Sequence, residues 1–192
     1  MRISIRIKGT SPLLMHNPQM VDPNCEWNRK IKEITSKRKK TDADFGMIEM
    51  LEWYGGLYSE NGVVIQPSSK LRKCLINTAR INKQGKAVER ALNFSELFVP
   101  LVHDGPSSID EIYSDPKFTS RLSVGVQGKR VMRVRPKFPN WAMEVSGIFI
   151  EDAGLNFNEL VRLVELAGQV EGIGDNRVNG YGRFTGEVIN CD

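Results

Sequence analysis

The sequence predicts an α+β chain, and three observations carry that prediction. Residues 2–8 alternate strictly, with Ile3, Ile5 and Ile7 on one side and Arg2, Ser4, Arg6 and Lys8 on the other, the pattern of a strand with one buried face. Residues 132–138 repeat it, with Met132, Val134 and Phe138 opposing Arg133, Arg135 and Lys137. Leu160, Leu163, Val164 and Ala167 then recur at helical spacing before a glycine-rich stretch, and residues 184–189 read as a strand after it.

Bulk properties narrow the function classes. The 192 residues, 40% hydrophobic and 26% charged, have the composition of an ordinary water-soluble chain with a net charge of +4, which favours anionic partners. Cys25, Cys74 and Cys191 stand far apart with no Cys/His cluster, so neither a zinc site nor a disulfide framework is expected. No apolar run approaches the ~20 residues of a membrane span. The expectation is a cytoplasmic protein with no membrane partner, no cofactor and no metal.

In chain order, the first strand ends at Gly9 to Pro12, and Leu13-Leu-Met15 adds an apolar patch. Residues 17–62 change character and read as an insertion. Glu26 to Lys40 is helix-compatible and strongly basic, ending Lys37-Arg-Lys-Lys40, while Thr41-Asp-Ala-Asp44 caps a second helix that Gly55-Gly56 stops. Val63 to Ile65 is a short strand. Pro67, Ser68 and Ser69 open a helix with Leu71, Cys74, Leu75, Thr78 and Ala79 as its buried stripe and Lys70, Lys73, Asn77 and Arg80 as its polar one. A cationic helix start of this kind suits an anion.

Residues 83–128 read as a second insertion. Within it, residues 87–92 are helix-compatible, 97–102 form a strand, and 104–116 are loop-like. Pro136 marks an edge or bulge in the strand at 132–138. Trp141 to Ile150 continues as a strand, and Asn156-Phe-Asn-Glu159 is a capping box that opens the last helix. With the insertions removed, the order is strand, helix, strand, strand, helix, strand, the ferredoxin-like split βαβ arrangement also seen in RRM-like sheets. Sheets of that type are common platforms for single-stranded RNA.

The stretch from Gly172 to Phe184 carries the chemistry. Gly172, Gly174, Gly180 and Gly182 permit left-handed backbone and close approach, while Arg177, Asn179, Tyr181 and Arg183 add cations, an amide and a ring. Together they suit a phosphodiester chain. A dinucleotide-binding fingerprint is excluded because the helix precedes the glycines and the strand follows them. A P-loop is excluded because no Gly-Lys-Ser/Thr follows. The competing reading is a purely structural turn.

These motifs resemble those of the RAMP superfamily of CRISPR-associated proteins, especially the backbone subunits that coat guide RNA. Gly62 to Ile76 looks like that family's serine-containing helix start, although Gln66 precedes the proline and the motif's glycine is absent. Gly172 to Phe184 is similar to its glycine-rich loop, including the Gly-Tyr-Gly-Arg ending, and the first strand with Ser11-Pro-Leu-Leu matches its opening. The architecture also resembles small RAMP-like proteins carried by phages. The resemblance implies one RAMP-like domain over residues 1–192, with the two insertions. It also implies a protein that binds single-stranded RNA, or DNA, and assembles side by side as a homo-oligomer or with other RAMP-type subunits; the residues themselves lead to the expectation that it is non-catalytic.

The binding residues expected on this reading are Ser68, Ser69, Lys70, Lys73, Arg133, Arg135, Arg177, Asn179, Tyr181 and Arg183. Some relatives cleave RNA, and the alternative is an endoribonuclease using His16 or Asp22. Asp42 and Asp44 read instead as helix-capping residues. A further alternative is a phage-encoded structural or single-stranded DNA-binding protein.

Overall fold

The computed structural model describes residues 1–126 and 128–192. In the first half of the chain the elements are β1 (Arg2–Gly9), β2 (Leu13–Leu14), α1 (Glu26–Thr35), α2 (Asp42–Gly56), β3 (Ser59–Glu60), β4 (Val63–Pro67), α3 (Ser68–Arg80) and α4 (Gly85–Ala91). The second half holds β5 (Leu92–Phe94), β6 (Phe98–Pro100), β7 (Val102–His103), α5 (Ile109–Ser114), β8 (Thr119–Val126), β9 (Lys129–Phe138), β10 (Trp141–Phe149), α6 (Phe157–Val170) and β11 (Phe184–Asn190). The chain is α+β, and it divides into two compact units.

The first unit comprises Met1–Leu13, Ser59–Asp104 and Pro139–Asp192. Its central sheet runs β11-β1-β10-β5, with β7 added beside β10, and every pairing is antiparallel. Ile3, Ile5 and Ile7 of β1 point inward beside Met143, Val145 and Phe149 of β10, all essentially buried. Leu160, Val164 and Ala167 of α6 and Leu71, Cys74 and Leu75 of α3 complete this core. Both helices were legible from their apolar spacing, and α6 opens with the expected capping box between Asn156 and Glu159.

The opposite face of the central sheet differs from the cationic surface that the alternation of β1 predicts. Arg6 lies opposite Glu144 on β10 and Glu187 on β11, and its Nε donates to Glu144 Oε2 at 2.8 Å. Ser4 is buried, its hydroxyl donating to the same carboxylate. Arg6 first and Ser4 second hold the Glu144 carboxyl below the ordinary carboxylate range. Arg2 is paired with Asp192. Alternation identifies which residues share a face, but not what the neighbouring strands place opposite them.

The second unit comprises Leu14–Tyr58 and Gly105–Phe138. Here β8 and β9 pair over their full length, from Thr119 opposite Pro136 to Val126 opposite Lys129. The strand carrying Arg133 and Arg135 therefore lies outside the central sheet, where the short β5 pairs with β10 instead. Helix α2 begins as expected, with Thr41 and Asp44 forming a reciprocal capping box. Its Trp53 is fully buried and donates its indole N–H to the Phe118 carbonyl at 3.0 Å. Tyr54 stacks on Trp27 and meets Trp53 edge-on.

Two local expectations in this unit need correction. Helix α1 stops at Thr35 rather than running to Lys40: the Thr35 and Ser36 hydroxyls donate to the Lys32 and Glu33 carbonyls, and four consecutive cations follow. Residues 109–114, read as loop, form α5, whose Ile112 is buried. No helix among the described residues is long and apolar enough to cross a membrane.

Candidate nucleic-acid interface

The glycine-rich loop leaves the end of α6 and returns into β11. Two glycines meet where it closes. Gly182 has φ +70°, and a Cβ there would sit 1.7 Å from the Ile173 carbonyl oxygen; Gly172 has φ +72°, and a Cβ there would sit 2.7 Å from the Gly182 carbonyl oxygen. The Ile173 N–H donates to Gly182 O at 3.0 Å, and the Gly182 N–H donates to Pro12 O at 2.8 Å. Gly180 is different: its φ is +85°, but nothing lies within 4 Å of the site of its Cβ. So Gly172 and Gly182 are demanded by packing, whereas Gly180 holds a left-handed turn with open space beside it.

Ser11 pins the loop to the segment after β1. Its hydroxyl donates to Gly180 O at 2.7 Å and accepts the Arg183 N–H at 2.9 Å. Ahead of those anchors Asn176 adopts φ +56°, followed by a short 3-10 turn over Arg177–Asn179. Asn179 donates to the Asn176 side chain, so its amide serves the turn. Tyr181 is half-buried, and Val178 is 95% exposed at the tip.

A cavity of about 580 Å³ opens between the loop and the end of α6, lined by Glu171, Asp175, Asn176, Arg177, Val178 and Arg183. Arg183 Nη2 donates to the Arg177 carbonyl at 3.3 Å, while Arg183 Nη1 is buried with no hydrogen-bond partner. Arg177 Nη1 donates to Glu171 Oε1, and Asn77 Nδ2 of α3 donates to that same oxygen at 2.9 Å. Beneath them Cys74 is buried; burial first, then the Glu171 charge, pushes its thiol up to about 12, so it is no nucleophile near neutrality.

On α3, Ser68 is buried and donates to the Glu96 carbonyl, with its own N–H on Leu97 O. That serine serves packing. Ser69 and Lys73 are exposed and Lys70 is half-buried. Lys70, Lys73 and Asn77 lie three and four residues apart, on one helix face, so the lysine stripe leads to the Asn77–Glu171 contact. The structure thus joins the serine-lysine helix to the glycine loop through Glu171, a residue the sequence reading did not single out. Its one readable signal was an acid at the C-terminal end of a helix, where the dipole disfavours it.

The other candidates belong to the second unit. Arg133 and Arg135 lie on β9 in the second unit. Arg133 Nη1 pairs with Glu52, whose buried carboxylate also accepts the Val134 N–H at 2.9 Å. Asp22 organises a turn, accepting the Asn24 N–H at 2.9 Å. His16 is half-buried, and its carbonyl accepts the Tyr58 hydroxyl at 3.2 Å. Among the described residues no group of three or more His, Cys, Asp and Glu side chains is arranged to hold a metal ion.

No protein-family model matches this chain, and neither does any curated protein. Solved structures do. A chain of the type III-B Cmr-beta complex bound to cognate target RNA superposes with a TM-score of 0.52 at 12% identity, over 98% of this chain and 60% of that one. This chain therefore spans less than two thirds of that neighbour. Cmr6 from Pyrococcus furiosus aligns over 96% of this chain and 97% of its own at 13% identity, with a TM-score of 0.33. The Cmr-beta likeness is one of fold, and the fold is RAMP-like.

Proposed function

We propose that this protein binds single-stranded nucleic acid, guide RNA foremost, as a non-catalytic backbone subunit. The observation that carries the reading is the loop cavity, where two arginines meet a bare left-handed turn and a buried guanidinium nitrogen, Arg183 Nη1, has no partner. A buried donor without an acceptor is costly, and a phosphate oxygen is the acceptor such a site suits best. The strand's phosphates pass Arg183, Arg177 and the Lys70–Lys73 stripe, with Tyr181 available to stack. Ser69 adds an exposed hydroxyl at the helix start, and Arg135 is a separate phosphate contact on the hairpin.

The strand order β11-β1-β10-β5, with α3 and α6 contributing to one core, supports a ferredoxin-like split βαβ at the centre of a single RAMP-like domain. That the Cmr-beta complex is bound to target RNA supports RNA as ligand and RAMP-type subunits as partners. Side-by-side assembly of copies along the strand belongs to the same proposal.

The test is a salt titration of binding to a labelled single-stranded RNA. Lys73→Gln and Arg183→Gln should each weaken binding of unrelated sequences alike and flatten the log–log salt slope by about 0.7 per lost phosphate contact. The parent protein should leave the RNA intact. Unchanged slopes in both variants would remove the loop and helix from the interface, and cleavage lost in His16→Ala would replace the binder with the endonuclease.

A further inference from the structure

The Glu171–Arg177 contact poses a question that strand binding by itself does not answer: why a carboxylate stands inside a site for phosphates. Glu171 is the C-cap residue of α6, and the last turn of that helix carries no basic side chain. An acid at this end opposes the helix dipole, so helix stability does not explain it. Its geometry does carry an explanation. One oxygen, Glu171 Oε1, accepts from both Arg177 Nη1 and Asn77 Nδ2. Glu171 and Arg177 keep 28% and 39% side-chain exposure, and both line the cavity into which an anion would enter. Arg183 meanwhile is anchored through Nη2 to the Arg177 carbonyl and leaves Nη1 unpartnered.

We propose that Glu171 is a built-in competitor for a strand phosphate. In the unliganded protein its carboxylate occupies Arg177 and Asn77; on binding, a phosphodiester oxygen takes Arg177 from it and a second meets Arg183 Nη1. The exchange discriminates between ligands. A small free anion must displace the carboxylate for the contacts of a single phosphate, whereas a polynucleotide recovers the loss through neighbouring phosphates on Lys70 and Lys73. This inference rests on the strand-binding reading and adds to it a means of rejecting isolated anions.

The experiment compares parent, Glu171→Gln, Arg177→Gln and the double variant for binding of a labelled oligouridine, with inorganic phosphate as competitor and melting temperature as control. Glutamine keeps the shape of the side chain and its acceptor oxygen for Asn77 while removing the charge. Releasing one partly exposed ion pair should tighten oligouridine binding about fivefold, leave the melting temperature unchanged or higher, and make phosphate a better competitor. The double variant should lose the gain. If Glu171→Gln binds like the parent while Arg177→Gln binds more weakly, the competitor role is overturned and the strand site stands. A lower melting temperature with unchanged affinity also overturns it, making Glu171 a structural clamp. Failure of the parent to bind oligouridine removes both readings together.

Discussion

At the scale of single residues, the loop separates two kinds of glycine that look alike in sequence. Alanine at Gly180 meets only the cost of a left-handed backbone, about 1 kcal/mol, because the space beside it is open. Alanine at Gly182 adds a Cβ 1.7 Å from the Ile173 carbonyl oxygen, an overlap relieved only by opening the loop. Thermal melts should therefore show Gly180→Ala within a few degrees of the parent, and Gly182→Ala lower by about 3 kcal/mol or more. Equal losses would mean that the loop yields at both points. The same scale explains Arg133, a candidate phosphate contact by its alternation. Glu52 on α2 already holds it, and nothing local to β9 announces that partner.

At the scale of elements, α2 shows how a capping motif becomes a pH response. The Lys37 ammonium first, and the Thr41 backbone N–H second, hold the Asp44 carboxyl down to about 2 from an ordinary 3.8. A carboxyl depressed in the folded state contributes stability above its unfolded pKa and loses it as pH falls through the folded one. The melting-temperature advantage of the parent over Asp44→Asn should thus be full at about pH 6 and fade between about pH 4 and pH 2. An advantage independent of pH in that range would assign the effect to helix shape alone. Elements such as α2, α3, α6 and β1 were legible because their periodicity and caps are written locally. The pairing of β9 with β8, the three-residue β5 and the helix α5 were not, because partners distant in sequence decide them. The candidate site divides the same way: its glycines and arginines stood in one motif, while Glu171, Asn77 and Ser11 join it only through the fold.

At the scale of the whole molecule, the net charge of +4 conceals where free cations lie. The outward face of the central sheet, the surface on which RRM-like sheets stack bases, here balances Arg6 with Glu144 and Glu187 and Arg2 with Asp192. Arg2 and Arg6 are each balanced by carboxylates, so they add little net positive charge to this face. Arg6→Gln combined with Arg2→Gln should leave the affinity and salt slope for single-stranded RNA within about twofold of the parent, in contrast to Lys73→Gln and Arg183→Gln. A slope reduced as much as in those variants would return the sheet face to the binding surface.

Trp141 has a use of its own. Its indole N–H donates to the Ser11 carbonyl at 2.9 Å, and its ring meets Phe184 edge-on, so it touches both chain segments between which the glycine loop is hung. The other two of the three tryptophans, Trp27 and Trp53, belong to the second unit. Protein grown on fluorotryptophan would therefore carry a single fluorine nucleus in the first unit, seated at the root of the loop. Its resonance line gives a spectroscopic view of that hinge without a mutation or an attached dye.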